Sequence, residues 1–202
     1  MRSFSEIDTT AKRATKGVGF AWGVAEEVGK NIRLLEMFGL PGLKNLNQYF
    51  KKIKQEEFKN LTLILKENIS KKPYCPIIAG TSFLDQINST NEQKEIKIEN
   101  MGFPILFLPF LSRASEIIGK RIFVNIDDKD FLLNFNQSIY SNYFSGDILE
   151  KGNSIKIKFL ENINSFTEKD WQDLYKLSEN TFVEESEELK KSAAGAGLTD
   201  ND

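Results

Sequence analysis

Apolar residues in the first third of the chain recur at helical spacing. Ile7, Ala11, Ala14 and Val18 fall at intervals of four, three and four, which predicts a helix over residues 6–16, opened by Ser5 with Asp8. Val24, Val28, Ile32 and Leu35 form a second stripe that runs into "FGLPG". There Gly39 suits a left-handed cap and Pro41 blocks continuation. Leu43, Leu46, Phe50 and Ile53 predict a third helix and Phe58, Leu61 and Leu65 a fourth, so residues 1–70 read as helical throughout.

Beyond "KKPYCP" the pattern becomes an alternation. Ile96 and Ile98, then Ile122, Val124 and Ile126, then Ile155, Ile157 and Phe159 are each separated by single, mostly polar residues, as in half-buried strands. "PILFLPF" suits either a strand buried on both faces or the entry to a helix. "SRASEIIG" follows, with Ser112 or Ser115 as a cap and Gly119 as a stop. Asp127, Asp128, Asn134, Asn136, Ser145 and Gly146 supply turns. Thr167 with Asp170 opens a last helix carrying Trp171, Leu174, Leu177 and Phe182. The predicted fold class is α+β, with N-terminal helices and a C-terminal helix packed on a mostly antiparallel central sheet. The chain reads as one domain, 1–202: helical over 1–70, sheet-rich over 71–164, then a C-terminal helix and tail over 165–202.

A content of 40% hydrophobic residues in 202 supports a sizeable core. A net charge of −2 lacks the footprint of a general nucleic-acid binder. The short runs Lys51, Lys52, Lys54 and Lys71, Lys72 suit a solvated helix face or loop. The most apolar run, Phe103 to Leu111, is nine residues with two prolines, far short of the roughly 20 needed for a membrane span. The opening residues, with Glu6 and Asp8, lack the apolar segment of a secretory signal, so a cytoplasmic location is expected, with neither membrane nor nucleic acid as partner. The chain has no histidine, which removes Ser-His-Asp and Cys-His nucleophiles, the common zinc sites and histidine general bases. Any catalysis would run on carboxylates, lysine, tyrosine, arginine or an unidentified cofactor. Cys75, the single cysteine, stands beside Pro76 and an apolar run and reads as a small buried hydrophobe.

Two stretches carry candidate chemistry. In "KGVGFAWGVAEEVGK", Gly17, Gly19, Trp22 and Gly23 lead into a helix whose first turns hold Glu26 and Glu27. Exposed amides at such a start bind anions, but a helix rather than a strand precedes the glycines and their spacing is not that of a dinucleotide fold. The plainer reading is a helix-helix turn, with Gly17 and Gly19 at positive φ, Gly23 allowing close backbone approach, and both glutamates complementing the helix dipole. The second stretch is the end of the chain: Asp200, Asp202 and the terminal carboxylate cluster with Asn201, which suits Mg²⁺, Ca²⁺ or an amine. Such an end is equally consistent with solvated chain. Arg113, just past the most apolar run, is an anchor either for an anionic ligand or for a carboxylate such as Glu116.

The opening "SEIDTTAKRATKGVGFAWGVAEEVGKNIRLLEMFGLPG", the central "CPIIAGTSFLD" and "FPILFLPFLSRAS", and the closing "TFVEESEELKKSAAGAGLTDND" together resemble a family of bacterial proteins of similar length whose function is unknown. The resemblance implies no reaction, ligand or cofactor. It implies that Gly17, Trp22, Gly23, Glu26 and Glu27, and the closing Gly195 to Asp202, are shared features, with Lys191 departing from an expected arginine. Two functions are carried forward. One is a small-molecule site for a polar or cationic ligand, built from the Gly17–Glu27 segment and the C-terminal end, with a carboxylate-based enzyme as its sharper form. The other is a non-catalytic accessory protein that binds a metabolic enzyme.

Overall fold

The first helix starts earlier than its apolar stripe suggests. Ser3 is the cap: its hydroxyl accepts from the Glu6 amide while the Glu6 carboxylate accepts from the Ser3 amide, so two orphan donors are satisfied at once. In the computed structural model, which describes residues 2–143 and 146–182, helix α1 then runs Phe4–Gly17 and α2 runs Trp22–Met37. Gly39, at φ +72°, ends that hairpin as the sequence predicts, and α3 follows over Gly42–Lys52. The α1–α2 contact is close because of Gly29: a Cβ there would lie 2.8 Å from the Asp8 carbonyl oxygen.

The predicted fourth helix does not form. Residues 53–66 are turns and extended chain, because Lys59 finds its backbone partners elsewhere: its amide donates to the Pro73 carbonyl and its own carbonyl accepts from the Cys75 amide. Tyr74 in turn donates to the Asn100 carbonyl and accepts from Gly102. Phe58 and Leu61 still pack inward, but the predicted Leu65 is exposed and Ile64 is buried in its place, so the burial pattern departs from the expected helical stripe. Strand β1 (Glu67–Asn68) comes next, and then a helix the sequence did not announce, α4 over Pro76–Asp85, with the short α5 at Ile87–Thr90.

Strand β2 (Glu95–Gly102) leads into the apolar run, which is neither strand nor simple helix entry but a 3-10 turn, Pro104–Phe107, continuous with α6 (Leu108–Ile118). Both prolines sit in a first turn, where a missing N–H costs nothing. The predicted caps Ser112 and Ser115 are therefore inside the helix, while Gly119 stops it at φ +63°. Among the described residues, strands β3 (Arg121–Ile126), β4 (Lys129–Asn134), β5 (Ser138–Ser141) and β6 (Lys151–Leu160) complete a six-stranded sheet in the order β1-β2-β6-β3-β4-β5. Among the described residues, β1 and β2 pair in parallel and the other strand pairs are antiparallel, with isolated parallel bridges at Lys59–Tyr74 and Tyr74–Met101. The fold is α+β.

Strand register explains the core. Ile96 stands opposite Ile157, which stands opposite Val124, which stands opposite Phe131, a fully buried row across four strands. Their neighbours Lys97, Lys156 and Lys158 face solvent, so one face of the sheet is covered. Helix α6 lies against β3 and β4 and also touches α2 and α4. Nearly all of its first two turns are buried.

The chain divides into two units, Met1–Asn162 and Ile163–Asp202. In the second, α7 spans Glu168–Ser178 and a 3-10 turn covers Glu179–Thr181. The capping box expected at Thr167 and Asp170 is present. Among the described residues, no helix is long and apolar enough to cross a membrane.

The α4–α6 crossing depends on Gly80, where an added Cβ would lie 2.2 Å from the Phe110 ring. Gly80→Ala is therefore expected to lower unfolding stability by about 1–3 kcal/mol. Gly23→Ala, with nothing within 4 Å of the added carbon, should leave stability unchanged or raise it by up to about 1 kcal/mol. Urea titrations followed by circular dichroism compare the two, and equal midpoints would contradict this packing.

Candidate functional site

The α1–α2 turn brings some of the sequence-predicted residues together and leaves others apart. Gly19 takes φ +108° and needs to be glycine. Gly17 and Gly23 have helical backbones and open space around them, so Gly29, not Gly23, is where backbone approaches closely. Trp22 is half exposed, with Lys16 Nζ 5.6 Å from its ring centroid. Glu26 pairs with Lys12 at 3.4 Å. Glu27 pairs with Arg113 on α6 and, at 3.1 Å, with Lys30. Arg113 thus meets Glu27 rather than Glu116, whose carboxylate accepts from Asn136 instead. This pairing ties α2 to α6 and leaves Arg113 engaged by a carboxylate of the chain itself. Asp200, Asn201 and Asp202 lie outside the described residues.

Beside the same turn lies a cleft of about 500 Å³. Gly19, Phe20, Ala21 and Val24 form one wall, Tyr49 and Ile53 of α3 another, and Phe58 with Cys75 and Ile78 at the start of α4 the third. Glu56, Glu57 and Asn60 stand at its rim, exposed. Tyr49 and Cys75 are buried, and phenol and thiol share a hydrogen bond of 3.0 Å. Cys75 also caps α4, its sulfur accepting from the Ile78 amide at 3.4 Å. A depression of about 570 Å³ beside Arg2, Glu6, Thr10 and Leu43 is larger but has no buried polar group in its lining.

The chemistry available in the cleft follows from this burial. Desolvation pushes the Tyr49 phenol far above the usual tyrosine range, and the neighbouring sulfur adds to the effect. Desolvation likewise pushes the Cys75 thiol up, against the hydrogen bonds from Tyr49 and Ile78. Both groups are neutral near pH 7, and each is occupied by the other. Neither is an activated nucleophile. Among the described residues the lining carries two carboxylates and no basic side chain. Glu57 is paired with Lys72 at 2.5 Å, whereas Glu56 takes part in no ion pair among those residues.

Sequence reasoning found the Gly19 turn and the burial of Cys75, but not Tyr49, Phe58 or Glu56. For Tyr49 a signal existed, since it follows Leu46 by three on the apolar face of α3 and carries a polar tip that a buried site must satisfy. Phe58 is held over Gly102, where a Cβ would lie 2.3 Å from its ring, and no local pattern announces that contact.

Because both raised groups hold their protons more tightly in the folded chain, they stabilise it fully below the ordinary thiol pKa of about 8.5, and that contribution is lost as pH rises further. The urea midpoint is expected to fall between mildly and strongly alkaline pH, and to fall less in Cys75→Ala. At pH 8 a thiol-specific disulfide reagent should label the native chain slowly and the guanidinium-unfolded chain at once. Rapid native labelling would contradict the burial of Cys75.

Residues 2–75 match the model of a family described as a protein of unknown function (DUF3726), in keeping with the resemblance read from the sequence. No curated protein and no solved structure matches the chain. The matched segment contains α1, α2, α3 and every residue lining the cleft except Ile78.

Proposed function

We propose that the protein binds a small molecule with an apolar body and a cationic head in the cleft beside the α1–α2 turn. What supports this most is the lining. Phe20, Val24, Ile53, Phe58 and Ile78 offer apolar walls, and among the described residues the charged side chains of the lining are Glu56 and Glu57. Lys72 partly neutralises Glu57, so Glu56 is the carboxylate that receives the head. The buried Tyr49–Cys75 pair closes the floor with its polar atoms already satisfied. This reading keeps the Gly19 turn of the sequence-based site and replaces Glu26 and Glu27, which are paired within the fold, with Glu56. Binding is what this lining supports, and the neutral thiol and phenol add no nucleophile to it.

Benzylamine and benzoate, which share a ring and differ in charge, test it by calorimetry and thermal shift. Benzylamine should bind and benzoate should not. Glu56→Gln should weaken benzylamine about tenfold, the loss of one charge-assisted contact. Ala21 is exposed and has an extended backbone that accepts any side chain, so Ala21→Trp should fill the cleft and abolish binding without lowering the melting temperature. Equal binding of both probes, or benzylamine binding indifferent to Ala21→Trp, would overturn the proposal.

A further inference from the structure

The second unit presents a different kind of surface. Helix α7 is fixed at its start by purely local contacts: the Thr167–Asp170 capping box and, across it, the Phe166 and Trp171 rings at 6.1 Å. Phe166 immediately precedes the cap and Trp171 is the fourth helical residue, the arrangement of a hydrophobic staple. Trp171, Leu174, Tyr175 and Ser178 then recur at intervals of three, four and seven from the first, a stripe along one face of α7, and Phe182 follows just past the 3-10 turn. Trp171, Leu174, Tyr175 and Phe182 are all exposed, and no described residue of the unit buries them. An isolated helix of eleven residues is marginal in water. A stripe this apolar is built to be covered.

Charge decides what covers it. At about 100° per residue, Glu168 and Glu179 border the stripe on one side, Asp170 stands on the other between Leu174 and the exposed Leu177, and Lys169 and Lys176 fall on the opposite face. In the sequence Glu184, Glu185, Glu187 and Glu188 follow. Helices that lie on anionic membranes carry lysine and arginine at these borders, the reverse of this pattern. A second copy packed stripe to stripe would bring acidic borders together. We propose that α7 is a docking helix for a protein partner that offers an apolar groove rimmed by lysine and arginine. Trp171, Leu174, Tyr175 and Phe182 fill the groove and supply most of the affinity, as aromatic anchors do. The acidic borders meet the basic rim, fix the register and steer the encounter. This surface is independent of the cleft in the first unit, and either proposal stands if the other fails.

The test places a photo-crosslinker, p-benzoylphenylalanine, in the full-length chain either at Gln172, beside the stripe, or at Lys169, on the opposite face. Each protein is irradiated in lysate of its native cells, and the adducts are mapped by mass spectrometry. Expected is an adduct to another protein that forms several-fold more from Gln172 than from Lys169. It should map beside lysine or arginine residues and fade between ~0.05 M and ~0.5 M NaCl as the rim contacts are screened. It should be lost in Trp171→Ala/Leu174→Ala. It should also be lost in Glu168→Lys/Glu179→Lys, which keeps the stripe and the Thr167–Asp170 cap, with helix content checked by circular dichroism. Adducts equal from both positions, no adduct, an adduct confined to the chain itself, or co-sedimentation with phosphatidylcholine or phosphatidylglycerol vesicles would each overturn the proposal.

Discussion

Burial of the Tyr49 ring is the constraint on which the first unit turns. The ring stands edge-on to Phe58 at 5.1 Å and to Phe103 at 5.7 Å, and its hydroxyl meets Cys75. Those three partners come from the irregular segment after α3, the turn after β2 and the first residue before α4. A phenol buried without a partner would cost on the order of 1–3 kcal/mol, so the thiol at this position lets an aromatic fill the junction. With Tyr49 in place, Phe58 and Cys75 pin the two ends of the segment that includes Lys59 and Tyr74. It lies against the outer edge of β2 through the Lys59, Tyr74 and Met101 bridges.

Close backbone approach does the remaining assembly. Gly29 lets α1 meet α2, Gly80 lets α4 meet α6, and Gly102 accepts the Phe58 ring. Each replaces a side chain with a neighbour's atoms, and together they bring the helices and the sheet edge close enough for α6 to be buried on nearly every side. The cleft is a product of the same geometry. The α1–α2 turn, held open by Gly19, stands across from Tyr49 and Phe58 without filling the space between them.

Much of the fold was legible because it follows local rules. The stripe Val28, Ile32, Leu35 gave α2, alternation gave β2, β3 and β6, and Gly39, Gly119 and Thr167 marked their helix ends. Helix α4 was not legible because "PIIAGTSFLD" is buried on several sides and so lacks the polar face that reveals a helix period. Residues 53–66 misled because Phe58, Leu61 and Leu65 stand at helical spacing in the sequence, whereas Leu65 is exposed and the backbone of Lys59 bonds to distant chain. Of the candidate site, the Gly19 turn and the burial of Cys75 were visible and the rest was not. Tyr49, Phe58 and Cys75 converge from three segments, and Arg113 reaches Glu27 across most of the first unit's sequence.

Hydrogen exchange at single-amide resolution tests the Tyr49 junction most directly. The amides of Lys59 and Cys75 pair Lys59 with residues 73–75, and those of Tyr74 and Gly102 join that chain to β2. If Tyr49 locks that segment, all four exchange together, as slowly as the amides of β6, and Tyr49→Ala speeds them while β6 stays protected. Fast exchange of Lys59 and Cys75 in the unaltered chain, at rates typical of surface loops, would contradict it.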